Sequence, residues 1–233
     1  MRDLINTNET YLRTIYNLEE DGLQPRQTRL VERLGQASTT VSQTVARMKR
    51  NGLIAVDDGH RLWLTESGRA IAVRVTRKHR LAECMLLDIV GIGLLRVHDE
   101  ADRLEHVIGD AVERRIVDLL GAPAVSPWGN PIPGLDELGC RASAFTELSP
   151  GPNLTEIDTR GGVVSETVAY VSEHAQELPE IAQALAQAGV LAGADVSVES
   201  AALEGGSGWV VYGEHAAVSV PVGMGHIVRF ASE

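Results

Sequence analysis

Residues able to hold a divalent cation crowd between positions 79 and 106: His79, Glu83, His98, Asp102, Glu105 and His106. Imidazole nitrogens and carboxylate oxygens are donors that borderline divalent metals accept. His79 and Glu83 are four apart, as are His98 and Asp102, and Asp102 and His106, so each pair shares a face if its segment is helical. Ala101, Leu104, Ile108, Val112, Ile116 and Leu119 make an apolar stripe beside them. There is room for two sites, one around His79, Glu83 and His98, the other around Asp102, Glu105 and His106. Each residue taken singly has a plainer role, because carboxylates on an exposed helix are usually solvated and a lone histidine is more often structural. It is the shared spacing that points to metal.

The elements that must position these side chains follow from periodicity and breakers. Tyr11, Leu12, Ile15, Tyr16 and Leu18 recur at helical spacing within residues 3–20. Pro25 suits the first turn of a short second helix ending near Gly35. Ser38, Thr39 and Thr40 offer N-caps for a third helix, Val41 to Arg50, which stops at Asn51-Gly52. Residues 53–56 and 61–64, joined by Asp57-Asp58-Gly59-His60, read as a β-hairpin. Thr65 can cap a long helix to about Val90, and another helix is expected from Val97 to Leu120. Pro123, Pro127, Pro131 and Pro133 then force a loop, and residues 149–162 look like a linker. Short strands are expected at 163–171, 194–198, 209–212 and 217–222, with a helix at 179–188 among them.

Three short helices followed by a hairpin make a winged helix-turn-helix, which presents its third helix to the DNA major groove. The plainer reading is a solvated helix face in an ordinary three-helix domain. In the third helix the hydroxyls of Thr39, Thr40 and Ser42 can reach phosphates, and Gln43 can pair with an adenine edge. Arg47, Lys49 and Arg50, with Arg26 and Arg29 on the preceding helix, can meet the backbone. The net charge of −11 argues against a nucleic-acid partner, but it is unevenly spread. Residues 1–80 hold 14 Lys+Arg and 9 Asp+Glu, net +5, whereas residues 81–233 hold 7 and 23, net −16. Two cysteines, Cys84 and Cys140, cannot build a disulfide framework, and no signal peptide or transmembrane run is visible, so a reducing cytoplasm is expected, with no membrane partner. Cys84 is expected to be a small core residue. An enzyme is not expected, because no nucleophile or hydrolase motif accompanies the ligands.

The chain resembles the diphtheria toxin repressor family of metal-dependent transcriptional regulators. The matching strings are Tyr11-Leu12-Arg13-Thr14-Ile15-Tyr16, Val41-Ser42-Gln43-Thr44-Val45-Ala46-Arg47-Met48, Arg77-Lys78-His79-Arg80-Leu81-Ala82-Glu83, Val97-His98-Asp99-Glu100-Ala101, Glu105-His106-Val107 and Gly129-Asn130-Pro131-Ile132-Pro133-Gly134-Leu135. They run densely through residues 1–139. The implied fold is mainly α with a small β module. A winged helix-turn-helix (1–73) is followed by a helical dimerisation and metal-binding domain (74–140), a linker (141–160) and an SH3-like β-barrel domain (161–233). The implied function is a homodimeric repressor of metal-homeostasis genes, activated by Fe(II) and bound to double-stranded operator DNA, with two dimers per operator an option. Metal is expected to rearrange the first helix so that two recognition helices fit the DNA.

The resemblance also implies two metal sites per subunit. An ancillary site maps onto His79, Glu83 and His98, with Glu173 and Gln176 reaching over from the SH3-like domain. An anion beside it would be held by Arg80, Ser126 and Asn130. The primary site maps onto Thr10, Asp102, Glu105 and His106. Iron-type relatives carry a methionine and a cysteine where this chain has Thr10 and Asp102, so both soft ligands are replaced by oxygen. That moves the site toward Mn(II), the rival to Fe(II), and motivates a third reading in which metal control has been lost. Ala37 and Thr39 also depart from the family's Ser and Pro, so a different operator is expected.

Overall fold

The computed structural model describes residues 2–139, 148–204 and 206–232. Cys140 lies outside them. The first helix, α1 (Arg2–Glu20), buries Tyr11, Leu12, Ile15 and Leu18 against α2 (Gln27–Leu34), α3 (Ser38–Arg50) and the hairpin β1 (Ile54–Val56) and β2 (Leu62–Leu64). The hairpin pairs Ile54 with Leu64 and Val56 with Leu62, and Arg61 stacks on Trp63 at 3.5 Å. Helix α3 starts earlier than expected. Ala37 stands at its N-cap, and Val41 N donates to Ala37 O, so Ser38, Thr39 and Thr40 form the first turn rather than the cap. Burial of Val41, Thr44, Val45 and Met48 sets this register.

Helix α4 (Glu66–Met85) opens where Thr65 Oγ1 accepts a bond from Gly68 N at 3.1 Å, and it continues as a π-helical turn through Val90. The helix expected from Val97 to Leu120 is two: α5 (Leu94–Leu104) and α6 (Asp110–Leu120). Gly109 takes an extended conformation between them and stands at the N-cap of α6. The apolar stripe does not run through, since Ile108 and Ile116 are buried while Val112 and Leu119 are more than half exposed. Glu105 and His106 therefore lie in a turn, and Asp102 and His106 do not share a helical face.

The C-terminal part is a curled antiparallel sheet in the order β3-β8-β4-β5-β6-β7. Its strands are β3 (Pro150–Asn153), β4 (Val164–Val171), β5 (Asp195–Leu203), β6 (Gly206–Tyr212), β7 (Ala217–Pro221) and β8 (Val228–Ala231). Helices α7 (Glu173–Gln176) and α8 (Pro179–Ala188) cross between β4 and β5. The segment expected to be linker, 141–160, contributes β3, which pairs Pro150 with Ala231 and Asn153 with Arg229. An edge strand tolerates proline because one side needs no N–H donors. Trp128, from the proline-rich loop, is buried in the core of this sheet domain and ties it to the helical region.

Gly68 sits where α4 passes the hairpin, and a Cβ there would lie 1.9 Å from Leu53 O. Backbone cannot yield as a side-chain tip can, so Gly68→Ala is expected to destabilise the chain by about 3 kcal/mol in urea unfolding. A loss under about 0.5 kcal/mol would mean that the two segments are not packed in this way.

Candidate metal centre and nucleic-acid interface

Helices α4 and α5 bring His79, Glu83 and His98 into a buried triangle. His79 Nε2, Glu83 Oε1 and His98 Nδ1 are each 3.1 Å from the other two. Bonds of about 2.1 Å place neighbouring ligands of an octahedral ion roughly 3.0 Å apart, so these edges fit a divalent ion. Two acceptors support this: Glu83 Oε2 and Gln176 Oε1 are both buried without a hydrogen-bond partner. Gln176 spends its amide on Asn130 Oδ1 (2.8 Å) and Val171 O (3.0 Å), which leaves its carbonyl free to join the set.

Burial alone would raise the pKa of Glu83, but the His79 and His98 imidazoles hold it below the usual value. Burial and Arg13 oppose a charge on His79, yet Glu83 and Glu105 outweigh them and hold its pKa up at about 10. The site thus keeps its carboxylate charged and retains a proton that a metal would displace.

The other expected ligands are arranged differently. Glu173 uses Oε1 to accept from Arg80 Nε (2.8 Å) and Oε2 to accept from Asn17 Nδ2 (2.5 Å). Burial works against its charge, but Arg80 holds the carboxyl well below the usual range. It thus braces the site with one hydrogen bond on each oxygen, and each oxygen keeps a further lone pair. Arg80 is also committed, with Nη1 and Nη2 on Glu20 at 3.2 and 2.5 Å and Nη1 on Pro131 O. Ser126 Oγ donates to Asn130 Oδ1, and Asn130 Nδ2 donates to Val171 O. The three residues expected to hold an anion thus spend polar atoms within the chain, with Arg80 on the carboxylates of Glu20 and Glu173.

In the second set, Asp102 and Glu105 both face Arg13. Its Nη2 lies 2.6 Å from Asp102 Oδ1, and its Nη1 lies 2.5 Å from Glu105 Oε2 and also meets His79 Nδ1. His79 Nδ1, Asp102 and Glu105 are a second grouping with ligand atoms within 4.8 Å of one another, and a guanidinium already occupies it. Thr10 Oγ1 donates to Asn6 O and sits 3.3 Å from His106 Nε2, which is 3.4 Å from Glu105 Oε1. Glu9 orients that imidazole from the far side, at 2.7 Å from Nδ1. Sequence reasoning missed Glu9, Arg13, Asn17 and Glu20. Thr10, Arg13, Asn17 and Glu20 recur every three or four residues, a polar stripe on α1 that could have flagged them.

On α3, Thr39, Thr40, Ser42, Gln43, Lys49 and Arg50 are exposed on the outer surface. Arg47 is half-buried and reaches back to Asn8 Oδ1 on α1 at 3.4 Å. Cys84 is buried, as expected of a core residue, with Sγ on Val125 O.

Residues 3–60 match the N-terminal DNA-binding domain of the iron-dependent repressors, and residues 65–134 match their metal-binding and dimerisation domain. The chain is 45% identical over 229 residues to the iron-dependent repressor IdeR of Mycobacterium tuberculosis, covering 98% of each. It is 58% identical over 139 residues to the diphtheria toxin repressor of Corynebacterium diphtheriae, covering 60% of this chain and 62% of that one. A manganese-dependent transcriptional repressor solved in complex with manganese superposes with a TM-score of 0.76 at 27% identity, covering 97% of this chain and all of the other. The matched domains and this near-full-length identity show that the chain belongs to the iron-dependent repressor family of transcriptional repressors.

Proposed function

We propose that this chain is a homodimeric repressor whose affinity for operator DNA is raised by Fe(II), and that it controls genes of metal homeostasis. The observation that carries the metal reading is the buried His79–Glu83–His98 triangle with its unpartnered acceptors. Mn(II) is the second reading. It is favoured by the oxygen donors of Thr10 and Asp102 in place of soft sulfur ligands and by the likeness to a repressor that binds manganese. The exposed apolar side chains Leu95, Val107, Val112 and Leu119, within the matched dimerisation domain, support a second copy as the partner there.

A divalent ion would take the place of the His79 proton as the positive partner of Glu83. His79 and Glu83 would hold it from α4, His98 from α5 and Gln176 from α7. Helix α1 lies against this assembly through Arg80–Glu20 and Asn17–Glu173, and it forms the core of the DNA-reading domain. Fixing α4, α5 and α7 to one another therefore biases where α1 and the recognition helix α3 stand. Metal raises DNA affinity to the extent that it prefers this arrangement.

Anisotropy titration of operator DNA under anaerobic conditions, with Fe(II), Mn(II), Co(II), Zn(II) or chelator, tests the switch. Metal is expected to tighten binding at least about tenfold, and Glu83→Ala and His98→Ala to lose that gain. Equal affinity in metal and chelator would leave a winged-helix regulator without metal control. Because His79 must release its proton to bind, metal affinity is expected to fall as pH drops, by about tenfold per unit for one proton displaced. An isotherm that does not move between pH 7.5 and 6.5 contradicts this. Lys49, Arg50 and Arg47 on two recognition helices imply about six phosphate contacts. DNA affinity is thus expected to fall about a thousandfold between 50 and 200 mM salt, and a flat response would remove their role.

A further inference from the structure

Helix α1 carries or touches each of the four residues expected at the second metal site. Thr10 Oγ1 lies 3.3 Å from His106 Nε2, and that nitrogen lies 3.4 Å from Glu105 Oε1. Ligands held about 2.1 Å from an ion lie roughly 3.0 Å apart in an octahedron and roughly 3.4 Å apart in a tetrahedron, so both edges suit a divalent ion. The three atoms also meet as acceptors. Thr10 spends its hydrogen on Asn6 O, Glu105 gives its other oxygen to Arg13 at 2.5 Å, and a metal takes an imidazole in its neutral form. A neutral His106 with a bare Nε2 carries its one proton on Nδ1, and the acceptor there is Glu9 Oε2 at 2.7 Å. An acceptor on the far nitrogen fixes both the tautomer and the heading of the ring.

Glu9 and Arg13 are four residues apart on one face of α1, and each takes the back of one ligand, Glu9 that of His106 and Arg13 that of Glu105. Their neighbours reach the DNA reader. Asn8 Oδ1 accepts from Arg47 Nη2 on α3 at 3.4 Å, and Tyr11 OH donates to Gln36 Oε1 at 2.6 Å, beside the N-cap of α3. We propose that Glu9 is a positioning residue of the second set: it holds His106 ready for the ion and fastens α1, and with it the DNA reader, to the turn after α5. This rests on the metal reading given above. In a chain whose own α1 donor is only the Thr10 hydroxyl, the outer contact through Glu9 carries much of the tie between that ion and α1.

Metal-free full-length protein titrated with MnCl2, with free Mn(II) read from its room-temperature EPR signal, tests this. His98→Ala removes a ligand of the first triangle, so an ion still bound sits at the second set, and one per chain is expected. Adding Glu9→Ala is expected to weaken that ion roughly ten- to a hundredfold. In a His106→Ala background, which keeps the first triangle, Glu9→Ala is expected to move the remaining ion by less than about twofold. A substitution that merely loosened α1 would weaken both ions, because α1 also reaches the first triangle through Arg13 on His79 and Asn17 on Glu173. An unchanged second ion, equal weakening of the two ions, or no ion in His98→Ala each overturns the proposal. If either background does not fold, the full chain decides. Glu9→Ala is then expected to weaken one of its two ions by about tenfold or more and to leave the other, and two unmoved ions overturn the proposal. A wild type that binds no Mn(II) while folded overturns the metal reading itself, and the role of Glu9 with it.

Discussion

A buried carboxylate must be given a positive charge, and the junction of α1, α4, α5 and α7 is arranged by that need. Among the described residues the buried acids are Asp21, Glu83, Glu105, Glu113 and Glu173. Four of them face a guanidinium: Asp21 faces Arg33, Glu105 faces Arg13, Glu113 faces Arg77 and Glu173 faces Arg80. Glu83 is different, because its partners are the imidazoles of His79 and His98, and His79 holds a proton that a cation can displace. It is the one of the five without a guanidinium partner. An incoming cation gains most there, since it replaces a proton rather than a fixed charge.

Two of these pairs also join α1, α4 and α7 to one another. Arg80 on α4 takes Glu20 from α1 and Glu173 from α7, and Asn17 of α1 completes Glu173. Losing either partner of a buried pair leaves the other unpaired at a cost of several kcal/mol, so these contacts act as a geometric lock more than as a source of net stability. A ligand that tightens α4 against α5 and α7 therefore acts on the helix that also forms the core beneath α3. Regulation of DNA binding is built from this shared helix.

Much of this was legible in the residues. The winged helix-turn-helix followed from breakers and periodicity, and His79, Glu83 and His98 from their spacing and from the family strings. The break at Gly109 was not, because apolar residues continue in helical register across it and only the exposure of Val112 and Leu119 reveals the change. Strand β3 hid in a Pro-Gly-Pro stretch that reads as linker unless its edge position is known. The roles of Arg13 and Arg80 were invisible for a deeper reason. An arginine in a helix looks like a solvated face, and only the fold shows that Asp102, Glu105, Glu20 and Glu173 converge on these two. Glu173 was expected to offer an oxygen to the metal, and the fold also sets Arg80 and Asn17 on its two oxygens.

The most direct measurement is a crystal of the chain grown with Mn(II), with anomalous diffraction locating the ion. A peak within bonding distance of His79 Nε2, Glu83 Oε1 and His98 Nδ1 is the expected result. A map with no peak at that triangle would contradict the assignment of the exchangeable cation to Glu83.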